Sequence, residues 1–330
     1  MKVTKDRIRH WIEKIQQQKV LVLGDLMLDQ FIWGKVNRIS PEAPVPVVHV
    51  THESAYPGGA ANVARNLSDF GLSVHVGGLL GNDANGESLL RLLEAAGIST
   101  QAILPLTGFP TIIKTRIIAR HQQVVRVDRE EKHSLTESDL ELLRPRLLEV
   151  LPQMNAVILE DYGKGFITQE LVNEVVALAR SNGAIIAVDP NPGNLLDWSG
   201  VTAVKPNRQE AYAAAGMPFA EDETSLSEAD NRLLEKWQVP YLLVTLGEEG
   251  MILFHPPEKP YHTPTRAREV FDVSGAGDTA IAFFTAALAA GLSGAEAAEV
   301  ANHAAGVVVG KLGTATLKPE ELLNSFLQHV

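Results

Sequence analysis

The 330-residue chain contains no cysteine. Disulfides, zinc–thiolate centres and thiol nucleophiles are therefore excluded, which fits a reducing, cytoplasmic setting. No apolar run approaches the roughly 20 residues that a membrane helix needs. The longest, 281–292, is small and apolar and reads as a buried helix. The first 19 residues are too charged for a secretory signal. Positive charge is scarce: 29 Lys and Arg stand against 40 Asp and Glu, a net charge of −11. That balance argues against a nucleic-acid partner. There is no linker, low-complexity tract or tandem repeat. The motifs G-x-x-x-x-G-K-S/T, H-E-x-x-H and G-x-S-x-G are missing, and the glycines at 77–86 do not fit G-x-G-x-x-G.

What is present is an ordinary globular balance, 45% hydrophobic and 21% charged. A chain of this length can build one large α/β domain or two small ones. Short β-branched runs at 20–24, 74–78, 156–160, 184–189, 202–204 and 241–245 alternate with helical stretches at 60–70, 86–96, 136–150, 168–182 and 207–215. The runs are nearly all apolar, as strands covered on both faces should be. The pattern predicts a doubly wound, mainly parallel α/β sheet, with ligands beyond the carboxyl ends of its strands. Ile8, Trp11, Ile12 and Ile15 share one face of an N-terminal surface helix. Residues 220–228 read as an acidic loop leading into a helix. Two segments break the alternation. Residues 30–50 carry prolines at 41, 44 and 46, and 111–129 read as two strands around a polar tip at His121-Gln122-Gln123. They form either a small separate β-layer or a pair of edge hairpins.

The richest stretch is D-V-S-G-A-G-D-T-A, 272–280. Gly275, Ala276 and Gly277 turn the backbone into a helix whose first N–H groups favour an anion. Asp278 sits at the rim of that site. A carboxylate there suits proton removal from an attacking hydroxyl while the N–H groups hold a transferring phosphoryl. A plain strand-to-helix turn with an acid in the first turn fits the same residues. Gly58 and Gly59 precede a second helix, with Asn62 on its first turn able to donate to and accept from hydroxyls.

Further polar residues follow the predicted strands. Asp25 reads as a turn or cap residue, with Asp29 four residues on. Lys164 lies on a glycine-flanked loop, and Asn191 lies between prolines. Lys205-Pro206-Asn207 begins a helix in which Asn207 can cap and Glu210 follows three residues on. Thr245, Gly247 and Gly250 form a hairpin turn. Asn302 and His303 lie on a small-residue helix, His303 as a packing residue.

The stretches 57–86 and 272–280, in that order, resemble the two signatures of the ribokinase-like (PfkB) sugar kinases. Val273 stands where the family more often has Thr, a change that backbone N–H groups tolerate. The resemblance covers essentially the whole chain. It implies one ribokinase-like domain over 1–330, with lid segments at about 30–50 and 106–129 that pair across a homodimer in many members. Asp278 would be the catalytic base, with Gly275, Ala276 and Gly277 as the anion hole. Asp29, Gly58, Gly59, Asn62, Lys164 and Asn191 would meet the sugar or the transfer centre. ATP would be held near Lys205, Asn207, Thr245, Gly247, Gly250 and Asn302, with Mg²⁺ placed by Glu210 through water. Asp272 and the backbone around Gly313 resemble a potassium loop of some relatives.

The block Asn37-Arg38-Ile39-Ser40-Pro41-Glu42-Ala43-Pro44-Val45-Pro46 resembles the D-glycero-D-manno-heptose-7-phosphate kinases of that family. They phosphorylate the anomeric hydroxyl to heptose 1,7-bisphosphate, for ADP-heptose and lipopolysaccharide core synthesis. Residues 111–132 carry Lys114, Arg116, Arg120, Arg126, Arg129 and Lys132 against three acids, which suits a phosphorylated substrate or simply solvates a strand face. Arg38 and Arg116 are the phosphate candidates. In related bifunctional proteins a nucleotidyltransferase domain follows. No H-x-G-H motif occurs here, so the resemblance implies a separate adenylyltransferase. The competing readings are a kinase for fructose, ribose or 2-keto-3-deoxygluconate, a nucleotide-binding regulator without chemistry, and a dimeric scaffold.

Overall fold

A computed structural model describes residues 3–119, 122–220, 223–311, 313 and 315–328. Arg120 and His121 of the expected lid lie outside the described residues. The strands are β1 (Lys19–Gly24), β2 (Leu26–Ile39), β3 (Pro46–Gly59), β4 (Ser73–Gly81), β5 (Ser99–Leu106), β6 (Ile112–Ala119) and β7 (Gln122–Arg129). They continue as β8 (Ala156–Glu160), β9 (Ile185–Asp189), β10 (Ala203–Val204), β11 (Tyr241–Thr245), β12 (Met251–Phe254) and β13 (Tyr261–Thr263). The helices are α1 (Lys5–Gln16), α2 (Ala60–Phe70), α3 (Ala84–Ala95), α4 (Glu137–Val150) and α5 (Gln169–Ser181). After them come α6 (Arg208–Ala214), α7 (Glu223–Trp237), α8 (Ala276–Ala289), α9 (Gly294–Val308) and α10 (Pro319–Leu327).

The main sheet has nine strands in the order β13-β12-β11-β10-β9-β8-β1-β4-β5. It is parallel from β5 to β11, and β12 and β13 run antiparallel at one edge. Along β1, Val20 and Val22 enter one core while Leu21 and Leu23 enter the other. That alternation explains why this strand reads as continuously apolar: both faces are covered. Helices α1, α2, α3, α8, α9 and α10 pack on the first core, and α4, α5, α6 and α7 on the second. Helix α8 is buried at every residue from Thr279 to Leu288. Its alanines let α2 and α9 approach closely, and Phe283 meets Phe70 edge-on at 4.8 Å between ring centres. On α7, Asp230 is fully buried, and neither carboxylate oxygen has a partner among the described residues.

Strand order reverses between β1 and β8, since β4 and β5 lie to one side and β8 to β11 to the other. The crevice at the carboxyl ends of β1 and β8 is thus the natural ligand position of an open sheet. Over it stands a second sheet, β3-β2-β6-β7, with β2 antiparallel to β3 and parallel to β6. Its boundaries differ from the expected segments. Strand β2 starts at Leu26, directly after β1, and residues up to Leu106 belong to β5 of the main sheet, paired with β4. Strand β7 is exposed along its whole length.

Candidate active site

Helix α8 opens at Gly275, whose φ of +81° is left-handed and open to glycine at little cost. The N–H of Ala276 is spent on the Val273 carbonyl at 3.2 Å, so Gly277 and Asp278 carry the first-turn donors toward the crevice. Asp278 is fixed at both oxygens. Asn62 Nδ2, in the first turn of α2, donates to Oδ2 at 2.7 Å, and the Tyr162 hydroxyl donates to Oδ1 at 2.7 Å. Asn62 is buried, and its own Oδ1 has no partner among the described residues. It can therefore accept a donor from a molecule in the crevice.

Beneath this turn lies a floor of charge at the ends of β8, β9 and β10. Lys205 is buried and its Nζ bonds Asp189 Oδ2 at 2.9 Å. A Cβ on Gly277 would sit 3.5 Å from that ammonium, so Lys205 is next to the glycine turn that opens α8. Burial alone would lower the Lys205 pKa, but Asp189, Glu160 and Glu210 raise it, so it stays charged. Burial pushes Asp189 up to about 7, with Glu210 and Asp278 adding to the rise and Lys205 opposing it. Glu160 is buried, raised well above the usual carboxylate range by desolvation and then by Asp189 and Asp278, and its Oε1 has no partner among the described residues. Glu210 and Asn207 form a reciprocal cap: Asn207 N donates to Glu210 Oε2 at 2.7 Å, and Glu210 N to Asn207 Oδ1 at 2.9 Å.

The second sheet roofs the crevice with one face. Asp29 is buried and accepts from Arg116 Nη1, whose guanidinium also lies 5.3 Å over the Phe31 ring. A Cβ on Gly58 would fall 2.4 Å from Asp29 Oδ2, so glycine there leaves the carboxylate its place. Gly59, at φ +59°, leads into α2. Lys114, level with Asp29 across the β2–β6 pair, sets its Nζ 5.8 Å over the Tyr162 ring.

On the other side of the α8 turn is a cavity of about 400 Å³. Thr245, Gly247, Gly250, Gly277 and Asn302 line it, which joins it to the glycine turn that opens α8. Asn302 spends its Nδ2 on Thr263 O and Oγ1 and on Pro264 O, so it holds the cavity wall. His303 stacks on Phe326 at 3.8 Å, a packing role.

Other expected site residues stand further off. Lys164 Nζ bonds Glu130 Oε1 at 2.7 Å, tying the β8 loop to the segment after β7. Asn191 makes a local turn, its Oδ1 accepting Gly193 N at 2.9 Å, with its amide against Gly163. Asp272 Oδ2 accepts Gly313 N at 3.2 Å, which brings those two loops together. Arg38 is exposed, nine residues beyond Asp29 on β2, or about 30 Å of extended strand. It does not join the crevice of its own chain.

Three contributors were not assigned a site role from sequence. Tyr162 follows two acids and precedes a glycine at the end of a buried strand, a position that favours function in an open sheet. Glu160 read only as a strand end. Asp25 is more than a turn residue: its carboxylate accepts the N–H groups of Tyr162 and Lys164 at 3.0 Å each and of Phe166 at 3.2 Å.

An N–H-rich helix start beside a fixed carboxylate, at the switch point of a parallel sheet and open to a second cavity, is an arrangement that suits phosphoryl transfer. Comparison with known proteins agrees. The chain belongs to the pfkB family of carbohydrate kinases, whose model matches residues 17–321. It is 45% identical over 322 residues to the bifunctional protein HldE of Magnetococcus marinus, covering 96% of this chain and 66% of that protein. It is also 45% identical over 310 residues to HldE of Geobacter sulfurreducens, covering 94% and 63%. The chain thus spans just under two thirds of the length of these relatives. Among solved structures, Arabidopsis thaliana ribokinase with ribose and ATP superposes with a TM-score of 0.73 at 21% identity, covering 94% of this chain and 99% of that one. Phosphofructokinase-2 of Escherichia coli with potassium gives 0.75 at 18%, with the same coverage. These two likenesses are of fold.

Proposed function

We propose that this chain transfers the γ-phosphoryl of ATP to the anomeric hydroxyl of D-glycero-D-manno-heptose 7-phosphate, giving heptose 1,7-bisphosphate and ADP. The observation that carries the phosphoryl transfer is Asp278, fixed at both oxygens beside the α8 N-terminus and between the roofed crevice and the 400 Å³ cavity. The acceptor hydroxyl gives its proton to Asp278 as its oxygen bonds the γ-phosphorus. The bond from that phosphorus to the bridging oxygen of ADP breaks. N–H groups of the α8 turn and the Lys205 ammonium meet the charge on the transferring oxygens.

Asn62 Oδ1 and Asp29 are the acceptors for sugar hydroxyls, with Gly58 and Gly59 giving the backbone its close approach. Lys114 and Arg116 on the roof are the cations for the substrate's own phosphate. That preference for a phosphorylated sugar, the resemblance of residues 37–46 and the HldE likeness together favour the heptose phosphate over fructose, ribose or 2-keto-3-deoxygluconate. Thr245, Gly247, Gly250 and Asn302 would border the nucleotide.

Mg²⁺ fits the acid floor. Glu210 is near enough to Asp189 and Glu160 for its charge to raise both carboxyls, and Glu160 Oε1, with no partner among the described residues, is a buried acceptor suited to an ordered water. Bound there through water, the ion would neutralise charge on the phosphates. The reading also takes in K⁺ between Asp272 and Gly313, a homodimer paired through the second sheet, a cytoplasmic place of action, and a separate adenylyltransferase that consumes the product.

The test is ADP release from Mg²⁺–ATP with the heptose phosphate, beside ribose, fructose, fructose 6-phosphate and 2-keto-3-deoxygluconate. Turnover with the heptose phosphate alone is the expected result. Turnover with another sugar would discard the substrate and keep the chemistry. Silence with every acceptor would discard both.

A further inference from the structure

Tyr162 stands where the reversal of strand order opens the crevice, on the loop after β8. Its hydroxyl and the Asn62 amide each hold one oxygen of Asp278 at 2.7 Å. A carboxylate held at both oxygens is restrained from rotating, which fixes where its remaining lone pairs point. The ring is itself held. Its main-chain N–H donates to Asp25, Gly163 N next to it donates to Asp161 Oδ1 at 2.8 Å, and Lys114 lies over its face. Desolvation, then the charges of Asp278 and Glu160, push the phenol well above its ordinary value. It therefore keeps its proton and serves as a donor.

We propose that Tyr162 is a positioning residue for phosphoryl transfer, aligning the Asp278 carboxylate toward the acceptor hydroxyl and linking it, through Lys114, to the roof of the site. This rests on the phosphoryl-transfer reading above and extends it. The phenol neither accepts the proton nor touches the phosphoryl; it acts through Asp278. A loop-packing role would leave the same contacts with Asp25 and Asp161 but would not depend on what stands at 278.

The experiment is a double-mutant cycle in the full chain, with Tyr162→Phe alone, Asp278→Asn alone and the pair. Tyr162→Phe removes one oxygen and keeps the ring, and ATP binding by calorimetry serves as the fold control. In the wild-type background kcat should fall on the order of ten- to hundredfold, the worth of one hydrogen bond to a charged group, with KM for ATP unchanged. In the Asp278→Asn background the same change should cost less than about twofold. An equal loss in both backgrounds, or an unchanged kcat in the first, overturns the role of Tyr162 alone. A wild-type chain that releases no ADP with any of the acceptors overturns the phosphoryl-transfer reading, and this role with it.

Discussion

The Asp25 carboxylate holds the main-chain N–H of Tyr162 at 3.0 Å across 137 residues of sequence. With Lys164 and Phe166 it takes three N–H groups from one loop, so a single buried acid sets the path of the chain past the crevice. Removing it leaves three donors unpaired. Asp25→Ala should cost about 3 kcal/mol of stability or more, and should lower turnover as Tyr162 loses its place. Denaturant unfolding and steady-state rates on the same variant check both parts. Unchanged stability would mean that the loop is held otherwise.

Asp278→Asn keeps the shape and one acceptor oxygen, but puts an N–H donor in place of the other and cannot take a proton. Turnover should fall by about 10²–10⁴-fold while ATP binding persists. Single-turnover kinetics and calorimetry separate the two. A variant with wild-type rate would remove Asp278 from the chemistry.

Gly58→Ala tests the sugar side alone. The new Cβ would fall 2.4 Å from Asp29 Oδ2, on the far side of the carboxylate from Arg116. Asp29 must then shift. KM for the sugar should rise on the order of tenfold or more, with KM for ATP unchanged, since one displaced charged hydrogen bond is worth that much. A rise in both constants would point to disturbance of the whole site.

Asp230 gives the chain a pH dependence remote from catalysis. Burial moves its carboxyl from 3.8 to about 7. Between those values the native state holds a proton that the unfolded chain has released, so stability falls as pH rises through that window and levels off above it. Asp230→Asn should flatten this slope, a difference on the order of 4 kcal/mol between pH 4 and pH 8. Urea unfolding at several pH values measures it. Parallel slopes for the two proteins would show that Asp230 meets a partner that holds its charge.

Local chemistry made much of this legible. β1 reads as a strand buried on both faces because its residues are apolar without alternation. Gly275 and Gly277 read as a tight helix entry because few other residues allow it. Asn207 was legible as a helix cap, whereas the bond that its main-chain N–H donates to Glu210 was not. Arg116 could be counted as a cation, but its bond to Asp29 depends on β2 lying parallel to β6, which periodicity does not give. Tyr162 was opaque for the same reason. Nothing near it in sequence says that the end of β8 lies beside the start of α8, 116 residues on. The lid begins later than 106 because β5 stays paired with β4 to its last residue, and an apolar run cannot say which sheet it joins.

The grip on Asp278 joins positions 62, 162 and 278, and the loop beneath it is anchored from position 25. No short piece of chain contains this arrangement. Such contacts form only after long loops have closed, which is slow compared with helix formation. During refolding, helical signal should therefore return well before the ability to turn over substrate, and catalysis serves as a late clock for completion of the fold.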